Sequence, residues 1–247
     1  LDASNIIFKG KFKSSTKLVL EEYLVGEELS YFLIVDKNSF KFFGTAQDHK
    51  RVKEGDVGLN TGGMGAYSPA PILNKKLEKK IINKIVKPTL KELKKHGQPY
   101  TGFLYVGLMI TNNEPYLIEY NVRMGDPECQ VIIPRLKTDL VKIFQRSIIN
   151  KLNQIDIKWI NKRCMTIVLC SKGYPKKYLT NKVIKNINKI KKNKNLFIYH
   201  AGTKYFANKL LSNGGRVLSI SFRGKVFKDI RKKIIMNLKK LNWKYGF

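Results

Sequence analysis

Glu119 and Asn121 stand two apart in the run IEYNVRMGDPE, residues 118–128. In an extended strand, residues two apart point to one face, so a carboxylate and an amide oxygen can be offered to a single cation. Mg²⁺ takes that pattern, using one or two protein oxygens and filling its other positions with waters and nucleotide phosphates. Arg123 is the next residue on the same face and brings cationic donors to where a phosphoryl group would be held. Asp126 and Glu128 add acceptors for a substrate amine. The plainer alternative, an edge strand with two solvated polar side chains, leaves the Arg and the two acids without a use.

A second group lies in DHKR, residues 48–51, and NTGGMGAY, residues 60–67. The adjacent Gly62 and Gly63 would let backbone N–H groups approach an anion closely, and Lys50 with Arg51 could clamp a phosphate. The loop is neither a Walker A motif nor a Rossmann fingerprint. His49, a lone histidine, reads as a structural or surface residue before a base. A third group is EEYLVGEELS, residues 21–30, whose Glu21, Glu22, Glu27 and Glu28 are four of the chain's 18 acids. They are either solvated hairpin charges or a ribose-holding carboxylate at a strand start, with neighbouring backbone pairing an adenine.

The elements that must carry these groups follow from periodicity and breakers. Leu18–Leu20 and Ser30–Val35 read as strands of a hairpin about Gly26, and Phe40–Thr45 as a third strand of an antiparallel sheet. Gln47–Pro71 holds five glycines and reads as one irregular loop, long enough to be functional. Asn74–Lys95 is an amphipathic helix capped by Asn74, ended before Gly97, and kinked or split at Pro88. Thr101–Ile110 and Tyr116–Tyr120 are strands joined by Thr111-Asn112-Asn113-Glu114. Pro134–Ile149 is a helix, the pattern loosens over Asn150–Ile157, and Cys164–Cys170 is a buried strand. Phe197–His200 and Arg216–Phe222 form a strand pair before a final helix, Asp229–Leu241. Residues 1–16 end in KSST and read as a loop.

Composition bounds the partners. Of 247 residues, 48 are Lys or Arg against 18 acids, a net charge of +30. Only eight are Arg, whereas sites that read phosphate or guanine bidentately favour the rigid Arg fork. The excess is Lys, accompanied by abundant Asn and Ile, the residues of A- and T-rich codons, so the charge reads as coding bias and no specific nucleic acid is expected. Cys129, Cys164 and Cys170 form no CxxC pair, which excludes a disulfide framework or zinc site and fits a reducing cytoplasm. No apolar run approaches the roughly 20 residues that span a bilayer, so no membrane is expected as a partner.

The segments EEYLVGEELS, QDHKR, NTGGMGAYSPAP, YTGFLYVGLM, IEYNVRMGDPECQ and HAGTK…NGGRVL, in this order, resemble the phosphoribosylamine–glycine ligase family, ATP-grasp enzymes of purine biosynthesis. The likeness runs from about Leu18 to Trp243, and NTGGMGAYSP and RxGDPExQ are specific strings. It implies that ATP and glycine give glycyl phosphate, which the amine of 5-phosphoribosylamine attacks, releasing ADP and phosphate. By position, Glu21, Glu22, Tyr23 and Leu24 would pair the adenine and Glu28 the ribose. Glu119 and Asn121 would hold Mg²⁺ or Mn²⁺, and Arg123 would face the reacting phosphoryl group as the catalytic residue. Asp48, Lys50, Gly62, Gly63, Asp126 and Glu128 would line the glycine and phosphoribosylamine pocket. Met124 stands where the family has an aromatic or another aliphatic residue.

The resemblance also implies an N-terminal α/β domain and the first part of the ATP-grasp lid, neither found before Leu1. The chain is therefore expected to be a C-terminal fragment or half of a split ligase, with a separate chain as partner in the second case. The expected class is α+β: a partial ATP-grasp domain over residues 1–150, with a lid remnant at 1–17, then a small mixed α/β domain over 155–247. The rivals are another ATP-grasp carboxylate–amine ligase and a basic nucleic-acid-binding module, and the latter calls for clustered Arg among exposed aromatics. DNA binding is accordingly expected to be weak, non-specific and lost between about 50 and 200 mM salt in a filter-binding titration. Sequence-selective retention at physiological salt would overturn the ligase reading.

Overall fold

The computed structural model describes residues 2–11, 17–191 and 193–247. The KSST segment, residues 13–16, which falls within the expected lid remnant, lies outside the described residues. A short helix α1, Asp2–Ile6, runs into a wider π-type turn, Ile7–Lys11. The expected Leu18–Leu20 strand does not form, and with it goes the hairpin about Gly26. Residues 17–25 carry no regular structure, with Val19, Leu20 and Tyr23 exposed. A three-residue apolar run has no period of its own and becomes a strand only where a neighbour pairs with it.

Strand β1, Glu27–Val35, is buried from Leu29 onward and pairs antiparallel with β2, Phe40–Asp48. The glycine-rich stretch after β2 is not one irregular loop. It contains a two-stranded flap of β3, Arg51–Lys53, and β4, Val57–Asn60, followed by β5, Gly65–Ser68. Glycine weakens the strand signal, so these short segments are specified by their neighbours more than by propensity.

Helix α2, Lys75–Ile81, starts at Asn74, whose Oδ1 accepts the Leu77 N–H at 2.9 Å. Pro88 splits the expected helix as foreseen: a π-type turn, Ile82–Val86, precedes α3, Lys87–Lys95, with Pro88 in its first turn, where no N–H is missed. Strands β6, Gly102–Thr111, and β7, Glu114–Asn121, close a hairpin through Asn112 and Asn113 at φ +51° and +61°, the left-handed pair a two-residue turn requires.

The expected Pro134–Ile149 helix is shorter. After α4, Cys129–Ile132, Pro134 lies in a 3₁₀ turn, Ile133–Arg135. Helix α5, Leu140–Ile148, begins only where Asp139 caps it, accepting from the Lys142 N–H at 3.0 Å. Strand β8, Arg163–Cys170, and β9, Leu196–His200, follow, then a hairpin of β10, Thr203–Phe206, and β11, Lys209–Ser212. Strand β12, Arg216–Gly224, leads to α6, Phe227–Leu238, which starts and ends slightly earlier than its sequence pattern.

The main sheet has eight antiparallel strands in the order β7-β6-β1-β2-β5-β8-β12-β9. Because β5 pairs with both β2 and β8, one sheet carries strands from both expected domains. Helices α2 and α3 cover one face through Leu77, Ile81 and Val86 against Tyr31, Leu33 and Val106. On the other face, α4 and α5 pack Val131, Ile132 and Ile143 against Phe32 and Phe43. Farther along the sheet α6 sets Ile230 and Ile234 on Ile220 and Phe222, on the face opposite to that of α4 and α5. The three cysteines are unpaired, Cys164 and Cys170 buried and Cys129 half-buried. The expected α+β class is the class observed, and among the described residues no helix is long and apolar enough to cross a membrane.

Gly65 marks the seam between the half-sheets: a Cβ there would lie 2.7 Å from the Thr166 carbonyl oxygen. Gly65→Ala is expected to lower the urea midpoint by about 1–3 kcal/mol equivalent, the usual cost of overpacking. An unchanged midpoint would mean that the seam carries no stability.

Candidate active site

The ends of β1, β2 and β7 bring Glu28, Asp48, Lys50 and Glu119 to one side of the sheet. Lys50 Nζ meets Glu28 Oε2 at 2.6 Å, with the two side chains 36% and 42% exposed, so the pair fixes position more than it adds stability. Partial burial works against the Lys50 ammonium, but Glu28, helped by Asp48 and Glu119, holds its pKa above the ordinary value. These groups border a cavity of about 140 Å³ that Glu28, Ser30, Lys50, Gly107 and Glu119 line. A larger one of about 540 Å³ adjoins it, lined by Tyr23, Leu24, Glu28, Lys50 and Met109. Glu21 and Glu22 are exposed and do not line it.

Asp48 is the most perturbed carboxyl of the site. Burial, reinforced by the charge of Glu128, pushes its pKa up to about 7 against the pull of Lys50, and its Oδ1 is buried with no partner. Glu128 is buried too, 3% exposed, and accepts from Ser30 Oγ at 3.2 Å, while Ser30 Oγ lies 2.9 Å from Tyr105 Oη. Asp126 has both oxygens engaged: Oδ1 accepts from Gln130 Nε2 at 2.8 Å and Oδ2 from Arg216 Nη2 at 3.1 Å.

Glu119 and Asn121 share a face, as expected. Asn121 Nδ2 donates to Glu119 Oε1 at 2.9 Å, so the amide presents its nitrogen to the carboxylate, and Oδ1 would face a cation shared with Glu119 only after the amide turns over. Tyr120 points the other way and bonds Thr89 on α3, oxygen to oxygen at 2.6 Å. Among the described residues there is no cluster of three or more His, Cys, Asp or Glu suited to a metal. Glu119 with the Asn121 amide turned over would offer one carboxylate and one amide oxygen, a set that suits a hard cation completed by nucleotide phosphates and water. Arg123 is exposed beyond the strand end and donates to the Met124 carbonyl at 3.1 Å, apart from the acids.

The glycine pair differs from its sequence reading. The Gly62 N–H donates to Tyr174 Oη at 2.9 Å and the Gly63 N–H to Thr61 Oγ1 at 3.0 Å, so these amides are held within the protein. The glycines serve close packing instead. Gly63 has φ +109°, and a Cβ there would lie 2.7 Å from Asp48 Oδ1 and 2.4 Å from Pro127 Cδ. His49 is exposed, with its ring 5.5 Å from that of Tyr67.

Sequence reasoning missed Ser30, Tyr105, Tyr174 and Arg216. Ser30 was within reach, since it stands two residues after Glu28 and so shares its face. Tyr105, Tyr174 and Arg216 join the site from distant segments and left no local signal beyond the places of Tyr105 in YTGFLYVGLM and of Arg216 in NGGRVL.

Known proteins resemble the whole chain. Residues 2–129 match the phosphoribosylglycinamide synthetase ATP-grasp (A) domain, and residues 164–247 match the C domain of the same synthetase. A phosphoribosylamine–glycine ligase of Mesorhizobium japonicum is 40% identical over 246 residues, 99% of this chain and 58% of that protein. The ligase of Vigna unguiculata is 40% identical over 98% of this chain and 80% of that protein. The crystal structure of the ligase from Thermotoga maritima superposes with a TM-score of 0.82 at 30% identity, covering 99% of this chain and 61% of that one. The chain thus spans little more than half the length of several relatives.

Asp48 makes the site sensitive to pH. The folded chain keeps its proton to about pH 7, whereas an exposed aspartate releases it near 4. The folded state therefore binds the extra proton between those values, and stability falls as pH rises through that window. Asp48→Asn should raise the thermal midpoint at pH 8 and leave it nearly unchanged at pH 4. Equal shifts at both values would show that Asp48 ionises normally.

Proposed function

Because the chain belongs to the phosphoribosylglycinamide synthetase family, we propose that, within the longer protein its relatives form, it joins glycine to 5-phosphoribosylamine at the expense of ATP. Glycyl phosphate is the intermediate, and glycinamide ribonucleotide, ADP and phosphate are the products. The observation that carries this reading is the gathering of Glu28, Asp48, Lys50 and Glu119 around two adjoining cavities, Glu28 and Lys50 lining both, Glu119 the smaller and Asp48 the larger, in a chain matched by the family along most of its length.

A carboxylate is a poor acyl donor, and positioning and electrostatics supply most of what its phosphorylation needs. Tyr23 and Leu24 border the adenine, with the Glu21 and Glu22 backbone beside it, and Glu28 takes the ribose hydroxyls. Glu119 and Asn121 would hold Mg²⁺ or Mn²⁺, which would neutralise charge on the transferring phosphoryl group. Arg123 would face that group, its exposed guanidinium being tied among the described residues only to a neighbouring carbonyl. Lys50 lies between the nucleotide side and the acids. Asp48 Oδ1, buried and unpartnered, accepts the proton of the attacking amine, and its elevated pKa suits that task near neutrality. Glu128 holds the amine by charge, while Gly62, Gly63 and Asp126 shape the pocket around it.

Residues 1–150 belong on this reading to the ATP-grasp unit and 155–247 to the smaller ligase domain; the family matches stop and restart on either side of that division. The remaining lid and N-terminal domain come from additional length or from a separate chain. The cytoplasm is the place of action, which three unpaired thiols support.

The test supplies those parts by fusion or in trans and measures ADP release that depends on both glycine and phosphoribosylamine. In that preparation Glu119→Gln should cut turnover on the order of 10²-fold or more, by analogy with removal of one preorganised transition-state contact. It should also weaken Mn²⁺ binding followed by electron paramagnetic resonance, and leave nucleotide affinity nearly intact. Tyr120→Phe, on the opposite face, should cost about 1 kcal/mol of stability through its Thr89 bond and little rate. If Glu119→Gln matches the parent in rate and metal titration, the cation lies elsewhere.

A further inference from the structure

Arg216 opens β12, yet its guanidinium serves two loops of the site. Nη1 donates to the Gly62 carbonyl and to the Asp126 carbonyl, the latter at 2.7 Å, and Nη2 donates to Asp126 Oδ2 at 3.1 Å. Gly62 is flush against it, since a Cβ there would lie 3.1 Å from Arg216 Cζ. A second tie runs beside the first: Tyr174 Oη accepts the Gly62 N–H, and the Tyr174 ring packs on Gly215, where a Cβ would lie 2.4 Å from Cδ2. The Gly62 residue is thus held at its N–H by the turn after β8 and at its carbonyl by the start of β12. Just beyond these ties lie the half-buried Asp48, beneath Gly63, and the buried Glu128, two residues after Asp126.

We propose that Arg216 is a positioning residue: it locks the Gly62 and Asp126 loops to each other and thereby sets the placement of Asp48 and Glu128 on the amine side of the site. Asp126 is then an anchor for Arg216, not a ligand of the substrate amine. A planar fork meets three acceptors in two loops, and a lysine ammonium at that place cannot reproduce the geometry.

The experiment has two arms, of which only the second rests on the ligase reading. In the chain as it stands, amide hydrogen exchange read by mass spectrometry should speed up in peptides covering residues 48–63 and 124–130 for both Arg216→Lys and Arg216→Gln. Peptides of α6 and β9 should exchange as in the parent. In the activity-restored protein, KM for phosphoribosylamine should rise on the order of 10- to 10²-fold while KM for ATP stays within about twofold, since misplacement of the acids leaves the nucleotide contacts alone. Faster exchange confined to β12, full recovery by Arg216→Lys, or equal rises in both KM values would each overturn the proposal. A parent that releases no glycine-dependent ADP would sink the ligase reading, and the exchange arm would then decide the role of Arg216.

Discussion

A strand of four residues, β5, is the constraint on which the rest of the structure depends. It pairs with β2 through Gln47 and Asp48 and with β8 through four residue pairs, and without it the eight-stranded sheet falls into two halves. The strand follows the Gly62–Gly63 turn directly, so the same few residues close the sheet and set the floor beneath Asp48. Packing at that junction is tight at Gly63 and Gly65, which is why side chains are absent there. The site therefore inherits its geometry from the sheet, with the loops held by the strands on which they end.

Arginine use follows the same division of labour. In a chain dominated by Lys, three of the eight Arg side chains each serve several acceptors around this junction. Arg135 donates to the Lys162 carbonyl at 2.7 Å and to Ser68 Oγ, at the end of β5, at 2.6 Å. Arg223 reaches Asn195 Oδ1 and the Lys194 and Pro134 carbonyls. Arg216 joins the two loops. Surface lysines give the molecule its charge, whereas the forked cations fasten one segment to another, a task for which several fixed donors matter more than charge.

What could be read in the sequence was whatever has a local cause. The Asn112-Asn113 turn, the Asn74 cap, the break at Pro88 and the shared face of Glu119 and Asn121 all follow from conformational preference or from period. The strands of the glycine-rich stretch could not be read, because β5 owes its form to β2 and β8 on either side. For the same reason Leu18–Leu20 looked like a strand but has no neighbour to pair with, and Pro134 looked helical although the cap that starts the helix is Asp139. At the site, Glu128 was legible as an acid, but its support by Ser30 and Tyr105 was not, since Tyr105 comes from a strand remote in the chain. Gly62 and Gly63 were legible as a special place, and the structure supplies the reason: room for Asp48 and Arg216 instead of amides for an anion.

The thiols have a practical consequence. Burial pushes Cys164 and Cys170 up to about 12, and burial with the nearby charges of Asp126 and Glu128 raises Cys129 as well. Since electrophiles attack the thiolate, none of the three competes appreciably for a maleimide or iodoacetamide label near neutral pH. The chain is chemically silent to such reagents while remaining native in sequence. A single cysteine placed on the exposed β3–β4 flap, or on the uncovered outer side of β7, would carry a dye or spin label with no background to remove, and the opening of the cavity could be followed in solution.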